Sequence, residues 1–327
     1  MSTSTEDQTV TQTNGDIDSP LVTFALLAYN QERYVDAAIE AALAQTWCNL
    51  EIILSDDCSS DSTFQIMEAR SRSYRGPHKI RLNRNTSNLG IASHVNTVIS
   101  LASGRLVVPA AGDDISKPSR TTRIVEAWRN TGYGAACFHS GFEDMETDGT
   151  LMGTYVKATL QAPSVDHLLF ENVVVGATEA WTREVWDFFG PLNPSVTHED
   201  RNMAVRAALL DGIHYIPESL VARRRGGVSA NAAVPKRVAR YKNAIRYTCD
   251  IAQSICDFHT ALSKGLIDER RYASLLGKVS DRLSFETLLL RDTGMLGMEY
   301  ACLIDILKTF RRTGFALYKA IRLRSAT

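Results

Sequence analysis

The sequence lacks an excess of either charge. Its 36 lysine and arginine residues stand against 37 aspartate and glutamate residues, so the formal net charge is −1. Proteins that attract nucleic acid through their overall electrostatic field carry a clear basic excess. The composition therefore argues against that class of binding, and we expect no nucleic-acid partner.

The sequence also lacks paired cysteines. Its six cysteines stand apart, with no C-x-x-C pair and no neighbouring histidine at the spacing of a zinc site. Thiols scattered in this way are typical of reduced core residues in a cytoplasmic protein. We therefore expect no disulfide framework and no structural zinc, and we predict a cytoplasmic location.

Long apolar runs are the third absence. No stretch approaches the ~20 apolar residues that a membrane-spanning helix needs. Residues 1–19 have neither the basic start nor the apolar core of a secretory signal. Because they are rich in serine, threonine, glutamine and aspartate, we predict a disordered N-terminal lead-in.

From Pro20 onward, short apolar runs alternate with helical patterns. The predicted strands are Leu21–Ala28, Leu50–Leu54, Lys79–Leu82 and a run that opens at Leu106. The predicted helices between them are Glu32–Thr46, Phe64–Tyr74 and Ile91–Leu101. This order predicts an α/β fold, with a mostly parallel sheet flanked by helices. In such sheets ligands bind at the carboxyl ends of the strands.

Acidic residues follow the predicted strands at that edge. Asp113-Asp114 comes directly after the run that opens at Leu106, and Asp56-Asp57 follows the second strand. Two adjacent carboxylates repel unless a cation lies beside them, and a divalent ion that shares a substrate diphosphate is a common partner. The alternative is a solvated turn in which an aspartate caps a helix.

Several short motifs follow one another along the chain. They are Tyr29-Asn30, Gln45-Thr46, Asp56-Asp57-Cys58-Ser59-Ser60-Asp61, Asn88-Leu89-Gly90, Asn96, Gly104 and Gly112-Asp113-Asp114. In this order they resemble glycosyltransferase family 2, whose members are inverting enzymes with a Rossmann-like GT-A fold. The resemblance covers Pro20 to Ser229 and implies a GT-A domain over residues 20–232. Beyond it the composition shifts to helical spacing, which predicts a C-terminal helical appendage over 233–327.

The resemblance also implies roles for single residues. Asp57 would accept a hydrogen bond from the nucleobase, most often uracil, while Asp114 and Asp113 would hold Mg²⁺ or Mn²⁺ on the donor diphosphate. The nucleotide-sugar site implied in this way comprises Ala28, Tyr29, Asn30, Glu32, Asp57, Asn88, Gly90, Asp113, Arg224 and Arg225.

Two departures from the family pattern stand out. The family often has a third acid before the metal-binding pair, where this sequence has Ala111 and Gly112. Cys58 replaces the usual glycine after Asp57. A positive φ would cost cysteine about 1–2 kcal/mol, so we expect an ordinary φ there.

A second acidic motif is His198-Glu199-Asp200, which opens a predicted helix. An acidic pair in a first helical turn is explained equally well by the helix dipole. Within the resemblance Asp200 is the catalytic base and Glu199 orients or binds the acceptor. His198 is the second candidate for the base, because imidazole titrates near neutrality.

Three arginines, Arg223–Arg225, follow a predicted last strand, Ile213–Val221. Guanidinium groups match phosphate oxygens, so this run either neutralises a diphosphate or forms a solvated basic loop. Family members commonly have a histidine here that completes the metal shell, and this sequence has none. We expect an arginine to replace it electrostatically.

Between these motifs the sequence predicts a polar loop or hairpin over Gly141–Gly153. Asn172–Trp181 resembles the family's strand that enters the acceptor pocket, so the resemblance implies a strand there. Three helices are predicted beyond residue 233: Lys236–Leu262, Asp268–Arg291 and Glu299–Arg324. The last is basic and amphipathic, which suits peripheral contact with the anionic inner face of a membrane. Packing on the domain or on a second subunit, in a homo-oligomer, is the alternative.

The function predicted on this basis is sugar transfer from a nucleotide-diphospho-sugar, a UDP-sugar first, to a glycan or lipid-linked acceptor in cell-surface polysaccharide synthesis. A nucleotide-sugar-binding module with reduced catalysis stays open, since the metal motif is short. A sugar nucleotidyltransferase is disfavoured, because Ala28–Gln31 does not form the glycine-rich phosphate loop such enzymes need.

Overall fold

The computed structural model of the chain describes residues 19–155, 163–171, 173–210, 212–226 and 236–291. The strands are β1 (Val22–Ala28), β2 (Leu50–Asp56), β3 (Lys79–Arg84), β4 (Leu106–Ala111), β5 (Ile115–Ser116), β6 (Cys137–Met145), β7 (Leu151–Tyr155), β8 (Ala180–Thr182) and β9 (Ile213–Arg224). The helices are α1 (Val35–Leu43), α2 (Thr63–Ser73), α3 (Ile91–Leu101), α4 (Arg120–Asn130), α5 (Val165–Phe170), α6 (Arg183–Phe189), α7 (Glu199–Leu209), α8 (Lys236–Ser263) and α9 (Glu269–Arg291), with a 3₁₀ turn at Gly176–Thr178. None of the helices in these ranges is long and apolar enough to cross a membrane.

Within the described ranges the strands form one mixed sheet in the order β3-β2-β1-β4-β8-β6-β9-β5, and β7 pairs with β6. β1 pairs in parallel with β2 and β4, and β2 pairs in parallel with β3. This half confirms the predicted parallel sheet. Side chains of β1 alternate between two cores, with Phe24 in one and Ala25 in the other, because helices cover both faces.

The other half of the sheet is mixed. β6 pairs antiparallel with β7 and β8 and in parallel with β9, while β4 pairs antiparallel with β8. The β6–β7 hairpin confirms the prediction made for Gly141–Gly153. The strand predicted over Asn172–Trp181 is wrong for most of its length, since only residues 180–182 are extended in the sheet. The chain before them turns at Gly176–Thr178, where the Gly176 N–H donates to Asp200 rather than to a neighbouring strand.

Most predicted helices are present with small changes at their ends. The helix predicted from Glu32 begins instead at Val35. Before it, Gln31 N–H donates to Thr63 Oγ1 (2.8 Å) and Glu32 N–H donates to Asp61 Oδ2 (3.0 Å). These bonds tie the residues that precede the helix to the next loop.

The C-terminal helices α8 and α9 share the core on one face of the sheet. Phe258 and Leu275 are fully buried and belong to the same apolar cluster as Trp181 and Met203. A buried ion pair adds to this contact, as Arg206 Nε of α7 lies 2.9 Å from Asp257 Oδ2 of α8. The predicted basic helix Glu299–Arg324 and the lead-in up to residue 18 lie outside the described residues.

Candidate active site

Asp57 lies at the carboxyl end of β2, against the end of β1. Its N–H donates to the Ala28 carbonyl (2.9 Å). Its carboxylate accepts hydrogen bonds from Asn85 Nδ2 (2.8 Å) and from the backbone N–H groups of Leu89 (2.9 Å) and Gly90 (3.0 Å). Gly90 donates to Oδ2, and each carboxylate oxygen has two acceptor directions, so one direction on Oδ2 remains for a ligand.

The neighbouring predicted residues fasten the loops around Asp57. Asn30 Oδ1 accepts from the Ser60 N–H (2.9 Å), and Glu32 Oε2 accepts from the Ser62 N–H (2.9 Å). Asn88 Oδ1 accepts from the Gly90 N–H (3.0 Å). Tyr29, which lies between Ala28 and Asn30 in the sequence, is partly buried. The side chains of Asn30, Glu32 and Asn88 therefore hold the loops around Asp57.

Cys58 has a φ of 62°, in the left-handed region. The expectation of an ordinary φ at this position is therefore wrong. The turn needs this conformation because Asp57 and Ser59 both fold back on the strand ends: Ser59 N–H donates to Asp56 Oδ2 (3.0 Å), and Ser59 Oγ accepts from the Asn30 N–H (2.9 Å). Cys58 thus has a left-handed backbone, a conformation that suits the glycine of the family pattern better than cysteine.

The predicted metal corner lies just beyond β4. Asp113 and Asp114 are both buried. Burial raises the pKa of Asp113, and burial together with the charge of Asp113 raises the pKa of Asp114 to about 7. In the described part of the chain, no lysine or arginine side chain lies within 4.0 Å of either carboxylate as an ion-pair partner.

These groups fit a hard divalent cation. Asp114 Oδ1 accepts from the Arg224 N–H (2.8 Å), which leaves Oδ2 for an ion. Gln31 Oε1 is a buried oxygen with no hydrogen-bond partner, next to Gly112. Carboxylate and amide oxygens, completed by water and substrate phosphate, are the ligands that Mg²⁺ takes in proteins. Among the described residues no group of three or more Asp, Glu, His or Cys side chains could hold a metal. The pair would therefore depend on water and substrate phosphate to complete the shell of an ion.

The structure explains why no acid occupies position 112, one of the two positions before the pair. A Cβ on Gly112 would lie 2.5 Å from Gln31 Oε1 and 2.7 Å from the Cβ of Ala28. Since Ala28 ends the central strand, it has no room to move away. Gly112 is therefore fixed by packing against β1.

Arg224 borders the metal corner, whereas Arg225 points elsewhere. Arg224 Nε donates to the Asp113 carbonyl (3.0 Å), and its guanidinium lies over the Tyr34 ring at 4.4 Å. Arg225 instead lies 3.5 Å from Asp144 Oδ2 and is half exposed. Arg224 therefore supplies the positive charge expected next to the two aspartates, and Arg225 contributes to the rim.

The Glu199–Asp200 corner is built at the N-terminus of α7. Asp200 Oδ1 accepts from the Arg201 N–H (2.8 Å), and Oδ2 accepts from the Gly176 N–H (3.1 Å). Burial raises the pKa of Asp200, although these two hydrogen bonds and the charge of His198 oppose the rise. Burial and the Asp200 charge raise the pKa of Glu199 to about 8. The two carboxyls therefore hold protons more tightly than exposed ones.

Two buried residues that the sequence did not point to lie between the corners. Burial, Asp200 and Glu199 together raise the pKa of the Glu179 carboxyl well above its usual range. The Arg120 guanidinium donates to the carbonyls of Pro109 (3.0 Å) and Glu179 (3.0 Å). Arg120 thus joins β4, which leads into Asp113 and Asp114, to the segment behind Asp200.

The structure thus places the predicted residues in three groups: the Asp57 loops, the Asp113–Asp114 corner with Arg224, and the Glu199–Asp200 corner. Residues 23–181 match the family model described as Glycosyl transferase family 2. This chain carries a glycosyltransferase family 2 domain. The matched residues include Asp57 and the Asp113–Asp114 pair, whereas Arg224 and the Glu199–Asp200 corner lie beyond them.

Curated relatives agree with this assignment. An uncharacterized glycosyltransferase of Haemophilus influenzae is 37% identical over 106 residues, 32% of this chain and 32% of that protein. The succinoglycan biosynthesis protein ExoO of Rhizobium meliloti is 31% identical over 141 residues, 43% of this chain and 38% of that protein. The chain thus matches about a third of either relative. The family 2 domain has relatives in polysaccharide synthesis.

Solved structures support the GT-A fold. The structure of S. aureus TarS 1–349 in complex with UDP-GlcNAc aligns with a TM-score of 0.60, at 15% identity, over 86% of this chain and 78% of that one. The mannosyltransferase PcManGT of Pyrobaculum calidifontis, in complex with GDP-Man and Mn²⁺, aligns with a TM-score of 0.50 at 18% identity, over 94% of this chain and 83% of that one. At such identities the likeness is one of fold.

Proposed function

We propose that this glycosyltransferase is an inverting, metal-dependent enzyme that moves a sugar from a nucleotide-diphospho-sugar to a hydroxyl group of a glycan or lipid-linked acceptor. The observation that carries the proposal is the buried Asp113–Asp114 pair, which follows β4 without an ion-pair partner among the described residues. A UDP-sugar is the donor we favour, because the family resemblance pairs Asp57 with uracil, and Asp57 Oδ2 keeps an acceptor direction for a base N–H.

In this proposal Asp113 and Asp114 hold Mg²⁺ or Mn²⁺ on the donor diphosphate. A bound ion supplies positive charge against the negative charge of the departing diphosphate. The chain adds the guanidinium of Arg224, which lies at the Asp113 carbonyl and is braced by Tyr34. Its fixed position costs no reorganisation during the reaction.

Asp200 acts as the base. It takes the proton of the acceptor hydroxyl, whose oxygen bonds to the anomeric carbon as the bond from that carbon to the diphosphate breaks. Its raised pKa suits this role, because a base works best when its pKa approaches the operating pH. The Gly176 and Arg201 N–H groups fix the carboxylate, and Glu199 lies beside it to orient the acceptor.

A thermal-shift screen of UDP-, GDP- and dTDP-sugars, each with and without Mn²⁺, tests donor and metal together. A ligand at 100 times its dissociation constant stabilises the folded state by about 2.7 kcal/mol, so only the right nucleotide raises the melting temperature clearly. We expect the shift with UDP-sugars to need Mn²⁺ and to be lost in Asp114→Asn. Equal shifts with and without metal contradict the assignment of Asp113 and Asp114.

Replacing the base separates catalysis from binding. Asp200→Asn keeps the shape of the side chain but cannot take a proton, so we expect a loss of transfer of roughly 10²–10⁴-fold. Donor binding in the thermal-shift assay remains as in the unmodified protein. Donor binding without turnover in the unmodified protein itself identifies the chain as a nucleotide-sugar-binding module instead.

Membrane contact remains a proposal from the sequence. The basic stretch of residues 308–324 suits an anionic surface, where a lipid-linked acceptor is found. Cosedimentation of the full chain with anionic vesicles, and not with neutral ones, supports this location at the inner face of the membrane. A dimer in solution without vesicle binding favours contact with a second subunit.

A further inference from the structure

Asp250 of α8 reaches the Glu199–Asp200 corner from outside the segment that matches the family model. Its side chain is 2% exposed, and Oδ1 accepts from the backbone N–H groups of Thr197 (3.0 Å) and His198 (3.2 Å). Oδ2 lies 2.5 Å from His198 Nδ1. These contacts fix the two residues that precede Glu199 and Asp200 on α7.

The His198 ring is held on two sides by α8. Asp250 takes Nδ1, and the Tyr247 ring stacks on the imidazole with centroids 5.4 Å apart and planes 15° apart. The His198 side chain keeps 30% of its surface exposed. With Nδ1 taken, Nε2 is the nitrogen that remains available at the surface of the site.

The imidazole also acts on the base electrostatically. Its positive form lowers the pKa of Asp200 and so favours the charged carboxylate. The other charged and titratable groups around this imidazole and the Tyr247 ring are Asp250, Glu199, Arg201 and Arg282.

We propose that Asp250 is a positioning residue for the transfer reaction, which holds His198 beside the base Asp200 with Nε2 as the free ring nitrogen. This inference rests on the proposed function. An Nδ1–H that donates to the Asp250 carboxylate fixes the tautomer in which Nε2 carries a lone pair. That nitrogen accepts a hydrogen bond from the acceptor, whose reacting hydroxyl gives its proton to Asp200. A helix outside the matched domain thus completes the Glu199–Asp200 corner.

The tautomer is measured directly by long-range ¹H–¹⁵N spectra of the full-length protein. His198 is one of seven histidines, and its signals are identified by their loss in His198→Gln. We expect the Nδ1–H tautomer in the unmodified protein and the Nε2–H tautomer in Asp250→Asn, where an amide N–H faces Nδ1. The Nε2–H tautomer in the unmodified protein, or the same tautomer in both, overturns the proposal.

Turnover provides the second readout, with release of UDP from UDP-GlcNAc as the first probe and the donor found by thermal shift as the next. We expect kcat of Asp250→Asn to fall by about tenfold to a hundredfold with little change in the donor KM. Ser254→Ala is the matched control, since its hydroxyl donates to the Asp250 carbonyl (3.2 Å) and not to the imidazole. Unchanged turnover in Asp250→Asn overturns the proposal.

The two readouts also separate this inference from the proposed function. If the unmodified protein turns over no nucleotide sugar, the proposed function fails, and the tautomer still decides whether Asp250 positions His198. If the tautomer changes and turnover does not, His198 is positioned but takes no part in the reaction, which overturns the inference alone.

Discussion

At the scale of single residues, Cys58 departs from the family pattern at a position with a left-handed backbone. Its φ of 62° puts a side chain into a conformation that suits glycine. The strain costs about 1–2 kcal/mol, while glycine would lose roughly 0.5–1 kcal/mol through its greater freedom in the unfolded chain.

We therefore predict that Cys58→Gly stabilises the protein by about 0.5–1 kcal/mol, the difference between these two effects. Urea unfolding of the two proteins measures it. Cys58→Ala is the control, because alanine carries the same Cβ and keeps the strain. If the glycine variant unfolds at lower urea than the alanine variant, the turn is not strained by the side chain.

The raised pKa of Glu199 makes the free energy of unfolding depend on pH. Burial and the charge of Asp200 raise its pKa from 4.5 to about 8 in the folded protein. The folded state therefore binds this proton more tightly than the unfolded chain does. The resulting stabilisation is complete below the unfolded pKa and is lost as the pH rises through about 8.

We predict that Glu199→Gln, which cannot ionise, melts at a higher temperature than the unmodified protein above about pH 8, by an amount equivalent to about 1–2 kcal/mol after allowance for partial exposure. Thermal melts from acid to mildly alkaline pH measure the difference, which grows with pH. A difference that is constant across this range means that Glu199 titrates normally.

At the scale of elements, the turn Gly176–Thr178 and the start of α7 act together. A Cβ at position 176 would lie 3.0 Å from the Cβ of Asp200 and 3.1 Å from Oδ2. Asp200 would have to shift by a few tenths of an ångström, away from the position that the Gly176 N–H gives it. The chain forms this turn in place of the predicted strand, and the turn directs the Gly176 N–H to Asp200.

We predict that Gly176→Ala lowers kcat about tenfold through this displacement, while donor binding in the thermal-shift assay is unchanged. Gly277→Ala on α9 is the control, as a Cβ there meets nothing within 4 Å. That change stabilises the helix by roughly 0.5–1 kcal/mol and leaves turnover intact. Normal turnover in Gly176→Ala means that Asp200 needs no such support.

The sequence alone predicts helices and strands well where hydrophobic periodicity and residue composition indicate the same type of element. The apolar run Leu50–Leu54 and the helix Ile91–Leu101 are found where the pattern places them. The acidic pairs Asp56-Asp57 and Asp113-Asp114 lie at strand ends as predicted. Arg120, Glu179 and Asp250 carry no such signal, because their roles depend on contacts between segments far apart in the chain. Asp250 lies 52 residues from His198 in the sequence, so no local sequence pattern indicates their contact.

At the scale of the whole molecule, α8 contributes side chains to the core on one face of the sheet. The guanidinium of Arg206 is fully buried, and Asp257 makes two hydrogen bonds to it. Without α8 this charge would lose its partner, and a buried charge without a partner costs about 3–5 kcal/mol. Loss of Phe258 would also uncover apolar surface in the cluster that contains Met203.

We predict that a chain ending at residue 232 does not fold, although it contains the whole segment matched by the family model. Circular dichroism and solubility of the truncated and full chains measure this. A soluble truncated chain with a cooperative melt like that of the full chain would show that the domain is independent of α8.

Gly112 also bears on how this lineage can change. A Cβ at position 112 would overlap the Cβ of Ala28 on the central strand, whereas the end of the Gln31 side chain can move aside. Ala28 therefore has to give way before an acid fits at position 112. Position 111 already carries a Cβ, so it is the easier place for this lineage to gain a third acid.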